Sequence, residues 1–123
     1  MNIWNEIKKS VETVVLKNYA NIDGRATRPE YWWFALAYTV VNIILSAIPK
    51  VGPILSGILA LAVLVPSICA AVRRLHDINK NGWWYLLVLI PLVGAIILIV
   101  WLAQPSDNGE NQYGERPTWE VEE

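Results

Sequence analysis

Three stretches of this chain contain no charged residue at all: Tyr31 to Pro49, Val51 to Val72 and Asn81 to Ser106. Each is rich in Leu, Ile, Val, Ala and aromatics, and each is about as long as the roughly 20 residues a helix needs to cross the hydrocarbon core of a bilayer. A backbone in lipid must satisfy its own hydrogen bonds, which leaves helices for runs of this length, and the strict alternation of a barrel strand is absent. The pattern predicts an all-α integral membrane helical bundle surrounded by a lipid bilayer. In 123 residues, 54% hydrophobic and 17% charged, there is room for a single membrane domain over 1–123 and for no separate soluble one.

Residues 1–26 read as an interfacial segment. Ile3, Trp4, Ile7, Val11, Val14 and Val15 recur at helical spacing opposite Asn5, Glu6, Lys8, Lys9, Glu12 and Lys17, the signature of an amphipathic helix. It either lies in the interfacial plane with Lys8 and Lys9 toward headgroups, or packs its stripe on the cytoplasmic end of the bundle. Asp23 and Gly24 mark a turn, and Thr27, Arg28, Pro29 and Glu30 fit a capping box at the head of a first span, 27–49. Tyr31, Trp32 and Trp33 are then interface anchors at headgroup depth. Pro49, Lys50, Val51, Gly52 and Pro53 have the chemistry of a tight reversal, so a second span, 51–75, should return antiparallel to the first. Small residues from Ser56 to Ala71 give that span a packing face, and Pro66 removes a backbone donor opposite the carbonyl of Ala62.

The third run, 82–103, opens on Trp83 and Trp84, a second pair of interface anchors, and holds Pro91 and Gly94 near its middle. It is either one kinked crossing helix or a re-entrant hairpin. Crossing is favoured, because non-helical backbone at membrane depth needs shelter that a small bundle does not supply unless it oligomerises. The tail, 104–123, carries six acidic residues and only Arg116, and reads as irregular and solvated. Five basic residues precede the first span and three, Arg73, Arg74 and Lys80, follow the second, which places the amino terminus in the cytoplasm; the tail has too little positive charge to decide its own side. A cleaved signal peptide is not expected, since thirty structured-looking residues precede the first apolar run.

Chemistry-bearing residues gather at the cytoplasmic face. Arg25, Arg28, Arg73, Arg74, His76 and Asp77 form a candidate surface for a ligand or partner, because guanidinium groups grip phosphate and basic clusters attract anionic lipid. The plainer alternative is topology anchoring, with Glu30 or Asp77 neutralising a nearby Arg. His76 is the single histidine, Cys69 the single cysteine, and no serine sits in a nucleophile elbow, so neither a metal, a cofactor nor a disulfide is expected, and a non-enzymatic role is favoured over catalysis. The three apolar runs hold no charged residue to couple ion movement.

The order of these pieces resembles the bacterial inner-membrane family catalogued as domain of unknown function 805, the YhaH-like proteins. The resemblance rests on Gly24, Arg25, Arg28, Glu30, Tyr31 and Trp32; on Arg73 to Asp77; on Gly82 to Trp84 with Ile90, Pro91 and Gly94; and on Gly109, Glu110, Asn111, Tyr113 and Gly114. It covers about residues 18 to 117. It implies a multi-pass protein of the bacterial inner membrane and supplies no activity. It adds Gly109, Glu110, Asn111 and Tyr113 to the candidate surface; if that tail and the Arg73–Asp77 loop form one site, they share a side of the membrane, and the re-entrant reading gains. Three functions remain: assembly as a homo-oligomer or with another membrane protein, binding or processing of an anionic lipid or phosphorylated ligand at Arg73–Asp77, and an oligomeric pore or transporter. No nucleic acid is expected as a partner.

Overall fold

The computed structural model describes residues 2–106 and 109–114. Its elements are helical: α1 (Ile3–Val11) running into a π-helical turn (Glu12–Lys17), then α2 (Arg28–Ser46), α3 (Gly52–Asp77), a 3-10 helix (Gly82–Leu89) and α4 (Val93–Leu102). Among the described residues the only strand-like pairing is an isolated bridge between Asn111 and Gly114. The expected tail beyond Gly114, with Asp107 and Asn108, lies outside the described residues.

α2 begins as the sequence dictates. Thr27 Oγ1 accepts from the Glu30 amide at 3.3 Å, and Pro29 sits in the first turn, where no helical donor is lost. The other half of the expected capping box is not made, because the Glu30 carboxylate pairs with Arg73 instead. That contact joins the head of α2 to the end of α3, while at the far end the Gly52 amide donates to Ile48 O at 2.9 Å. The two helices therefore form the expected antiparallel hairpin.

α1 packs against this hairpin through an unexpected face. Glu6 and Ser10 of α1, and Val14 of the π-helical turn that continues it, are spaced four apart and buried. Ser10 Oγ donates to Glu30 O, and Val14 joins Phe34 and Ala70 in a small core flanked by Val11 and Val15. The apolar stripe is split between two surfaces, since Ile3 and Trp4 point outward. The chain just beyond the π turn also repairs a defect in α3. Pro66 has no N–H to give the carbonyl four residues earlier, and the Tyr19 hydroxyl donates to that carbonyl, Ala62 O, at 2.8 Å.

Among the described residues one helix, α3, is long and apolar enough to cross a bilayer, and only 22% of its apolar window is buried inside the fold. A core helix of a soluble protein would be covered; this one shows Ile54, Ile58, Leu61 and Leu64 to its surroundings. α2 is 19 residues long and exposes Val40, Ile43 and Ile44, but also carries Tyr38, Thr39 and Asn42. Of the three expected spans, α3 is the one that length and composition show among the described residues.

The third run departs from its favoured reading. It is two short helices folded back on each other, not one kinked helix. Ile90 is extended, Leu92 has a φ of 64°, and the Trp84 and Trp101 rings meet edge to face with centroids 5.6 Å apart. In a continuous helix those residues would be separated by about 25 Å. Gly94 makes the closure work: a Cβ there would fall 1.7 Å from Leu87 O, so only a residue without a side chain lets the arms touch. The hairpin packs through Leu98 and Leu102 onto Leu75 of α3, with Tyr31, Trp32 and Tyr85 around them.

Candidate functional site

The end of α3 is closed by a Schellman motif. Lys80 N donates to Leu75 O and Asn79 N to His76 O, both at 2.9 Å, with Asn79 in the left-handed region at φ 61°. The motif fixes the last turn of α3, and that turn is where the charged residues converge.

Asp77, fully buried, is the centre. Its Oδ1 accepts from Arg25 Nε at 2.9 Å; its Oδ2 accepts from Arg74 Nη1 at 2.6 Å and from the Ser106 hydroxyl. Buried charges are tolerated when paired and fully hydrogen-bonded, and the remaining donors are used accordingly. Arg25 also donates to Asp77 O at 3.1 Å, to Gly109 O at 2.8 Å and to Gly114 O at 3.1 Å. Arg74 reaches Leu102 O at 3.0 Å, Ala26 O at 3.3 Å and Gln104 O. The carbonyls of Leu102, Ala103 and Gln104 end α4, where a helix leaves acceptors unsatisfied and favours positive charge. Arg74 therefore caps one helix from another. Arg28, exposed, adds a bond to Ala103 O at 3.3 Å, and Trp32 Nε1 donates to Leu102 O at 2.9 Å.

A second ion pair lies alongside. Arg73 donates to the Glu30 carboxylate and, through Nε, to Asn21 O at 3.2 Å. Its Nη2 is buried with no hydrogen-bond partner among the described residues. Backbone pairing completes the junction, with Ala26 N donating to Arg73 O at 3.0 Å.

The tail folds onto the same junction. Asn111 Nδ2 donates to His76 O at 3.0 Å, Asn111 Oδ1 accepts from Tyr113 N at 2.8 Å, and the Tyr113 ring stacks on the His76 ring at 3.8 Å. His76 Nδ1 lies 3.0 Å from Gly24 O. A carbonyl oxygen can only accept, so Nδ1 carries the proton and, in the neutral ring, Nε2 holds the lone pair. Beside this stack is a cavity of about 610 Å³ between Ile22 to Gly24, the last turns of α3, the start of the 3-10 helix and Gln112 to Tyr113.

Of the residues singled out in the sequence, Arg25, Arg73, Arg74, His76, Asp77, Gly109, Asn111 and Tyr113 are brought into this junction; Arg28 touches its edge, and Glu110 is exposed on the turn. Among the aromatics, Tyr31 and Trp32 face inward, Trp33 is half-buried, and Trp83 is the outermost at 76% exposure, with Trp84 against Trp101. Sequence reasoning missed Ser106, Asn21 and the α4 carbonyls, since a backbone acceptor has no signature in side-chain types. No group of metal ligands occurs among the described residues, and Cys69 is a buried free thiol.

Residues 19–115 match the family described as Protein of unknown function (DUF805). The chain is 39% identical over 107 residues to the protein named inner membrane protein YhaI of Escherichia coli strain K12, covering 84% of this chain and 91% of that one. It is also 39% identical over 114 residues to inner membrane protein YhaH of the same strain, covering 86% and 94%. No solved structure matches. With that extent and that identity, the chain belongs to the DUF805 family.

Proposed function

We propose that this chain is a non-catalytic protein of the bacterial inner membrane that assembles with a second copy of itself or with another membrane protein. α2 and α3 cross as a hairpin, and the third run re-enters from the cytoplasmic side that holds the Asp77 junction. The observation that carries the reading is the exposed break between the 3-10 helix and α4. Each arm is about 15 Å long, which puts the break near the middle of a core about 30 Å thick. Irregular backbone at that depth is tolerated only under protein cover, yet Ile90, Leu92 and Val93 are 49%, 73% and 59% exposed within this chain. A neighbour must supply the cover.

The junction itself supports a structural role more than an anionic-headgroup site. Apart from Arg73 Nη2, the guanidinium nitrogens of Arg25, Arg73 and Arg74 are spent on Asp77, Glu30 and backbone carbonyls, so a phosphate would have to displace them. A cysteine at Leu92, in a background where Cys69 is Ala, tests the assembly reading. Treatment of native membranes with a bifunctional maleimide should give a crosslinked species containing this chain. Recovery of monomer alone, with the thiol shown to be reactive, would rule assembly through this tip out.

A further inference from the structure

The cavity beside the His76–Tyr113 stack has a feature the assembly reading does not use. Its wall holds several open acceptors beside the donors of Asn81, Trp83 and the tyrosine hydroxyls. His76 is 9% exposed, and its Nε2 has no hydrogen bond among the described residues; a Cβ added to Gly82, on the cavity wall, would meet that nitrogen at 3.5 Å. Asp23, at the mouth, has a carboxylate with no ion-pair partner among the described residues. Gln112 gives its Nε2 to Asn79 Oδ1 at 3.1 Å, which leaves its carbonyl oxygen open. No Lys or Arg is among the described residues of the lining, and the aromatic rings of Trp83, Tyr85 and Tyr113 are. A carboxylate, an imidazole lone pair and aromatic faces together call for a cation that carries N–H donors.

The remaining walls call for a tail. Ile68, Val72 and Leu86 line the cavity, and Leu61, Val65, Ile68 and Val72 fall on one face of α3 that ends at His76. Leu61, Val65 and Ile68 are 73%, 42% and 37% exposed, so this face is an open apolar track about 22 Å long leading from the middle of the spanning helix to the cavity.

We propose that the cavity binds one bilayer amphiphile with a primary ammonium head, the head between Asp23 and His76 Nε2 and an acyl chain along the α3 track. The preference is for an ammonium over a quaternary head of equal charge, because the quaternary head has no N–H to give.

The test uses the full chain in detergent micelles containing phosphatidylethanolamine, phosphatidylcholine or phosphatidylglycerol with matched acyl chains, read by native mass spectrometry. One phosphatidylethanolamine should stay bound per chain, with a preference of about tenfold over phosphatidylcholine, the size expected for one charge-assisted hydrogen bond. Asp23→Asn and His76→Phe should each abolish that preference. His76→Phe keeps a ring to stack on Tyr113; if it does not fold, Asp23→Asn decides, since Asp23 is exposed and holds no ion pair among the described residues. Equal retention of the ethanolamine and choline lipids, stronger retention of the glycerol lipid, or an unchanged preference in folded Asp23→Asn would each overturn the proposal.

Discussion

Asp77 is the residue on which the junction turns. Its carboxylate, fully buried, meets Arg25 and Arg74, so replacing it with Asn keeps the shape and leaves two guanidinium groups without a counter-charge. Breaking a buried pair from one side costs about 3–5 kcal/mol. Asp77→Asn should therefore lower the unfolding midpoint in mild detergent by an amount of that order, followed by circular dichroism against denaturant; an unmoved midpoint would mean that the pair contributes nothing. Half of this arrangement was legible in the sequence. Arg74 and Asp77 stand three apart on one helix, the spacing at which side chains meet. Arg25 is 52 positions from Asp77, and no periodicity in the chain announces that contact.

At the scale of elements, the sequence marked the start of α2 well because it is written in side chains, Thr27 and Pro29. It did not resolve the third apolar run, because Pro91 and Gly94 are compatible with either a kink or a reversal and composition is the same for both. Nor did it show that α1 buries Glu6 and Ser10, since that face is chosen by what α2 offers and not by α1's own polarity. The hairpin closure makes a paired prediction. Gly94→Ala should destabilise the fold by roughly 1–3 kcal/mol or more through overpacking against Leu87 O. Gly57→Ala in α3, where an added Cβ meets nothing within 4 Å, should be neutral or gain up to about 1 kcal/mol. Equal effects from the two substitutions, in thermal unfolding in micelles, would argue against the close contact between the arms.

For the whole molecule, the proposed re-entry of the third run has a consequence for sidedness. Both of its ends lie at the Arg74 end of α3, whereas Lys50 lies at the opposite end of the α2–α3 hairpin. Single cysteines at Lys50 and Glu110, with Cys69 replaced, should therefore react with a membrane-impermeant maleimide from opposite faces, Lys50 from the periplasm and Glu110 from the cytoplasm. Labelling of both from the periplasm would mean that the third run crosses after all.

The Tyr19 hydroxyl beneath Pro66 ties these scales together. An imino acid inside a lipid-facing rod leaves one oxygen bare, and the phenol that covers it comes from a stretch of chain made earlier by the ribosome. The rod and the surface helix must then come to rest in concert: lifting the amino-terminal segment away would strand a dipole in oil, so that segment is a fixed cover and not a swinging arm.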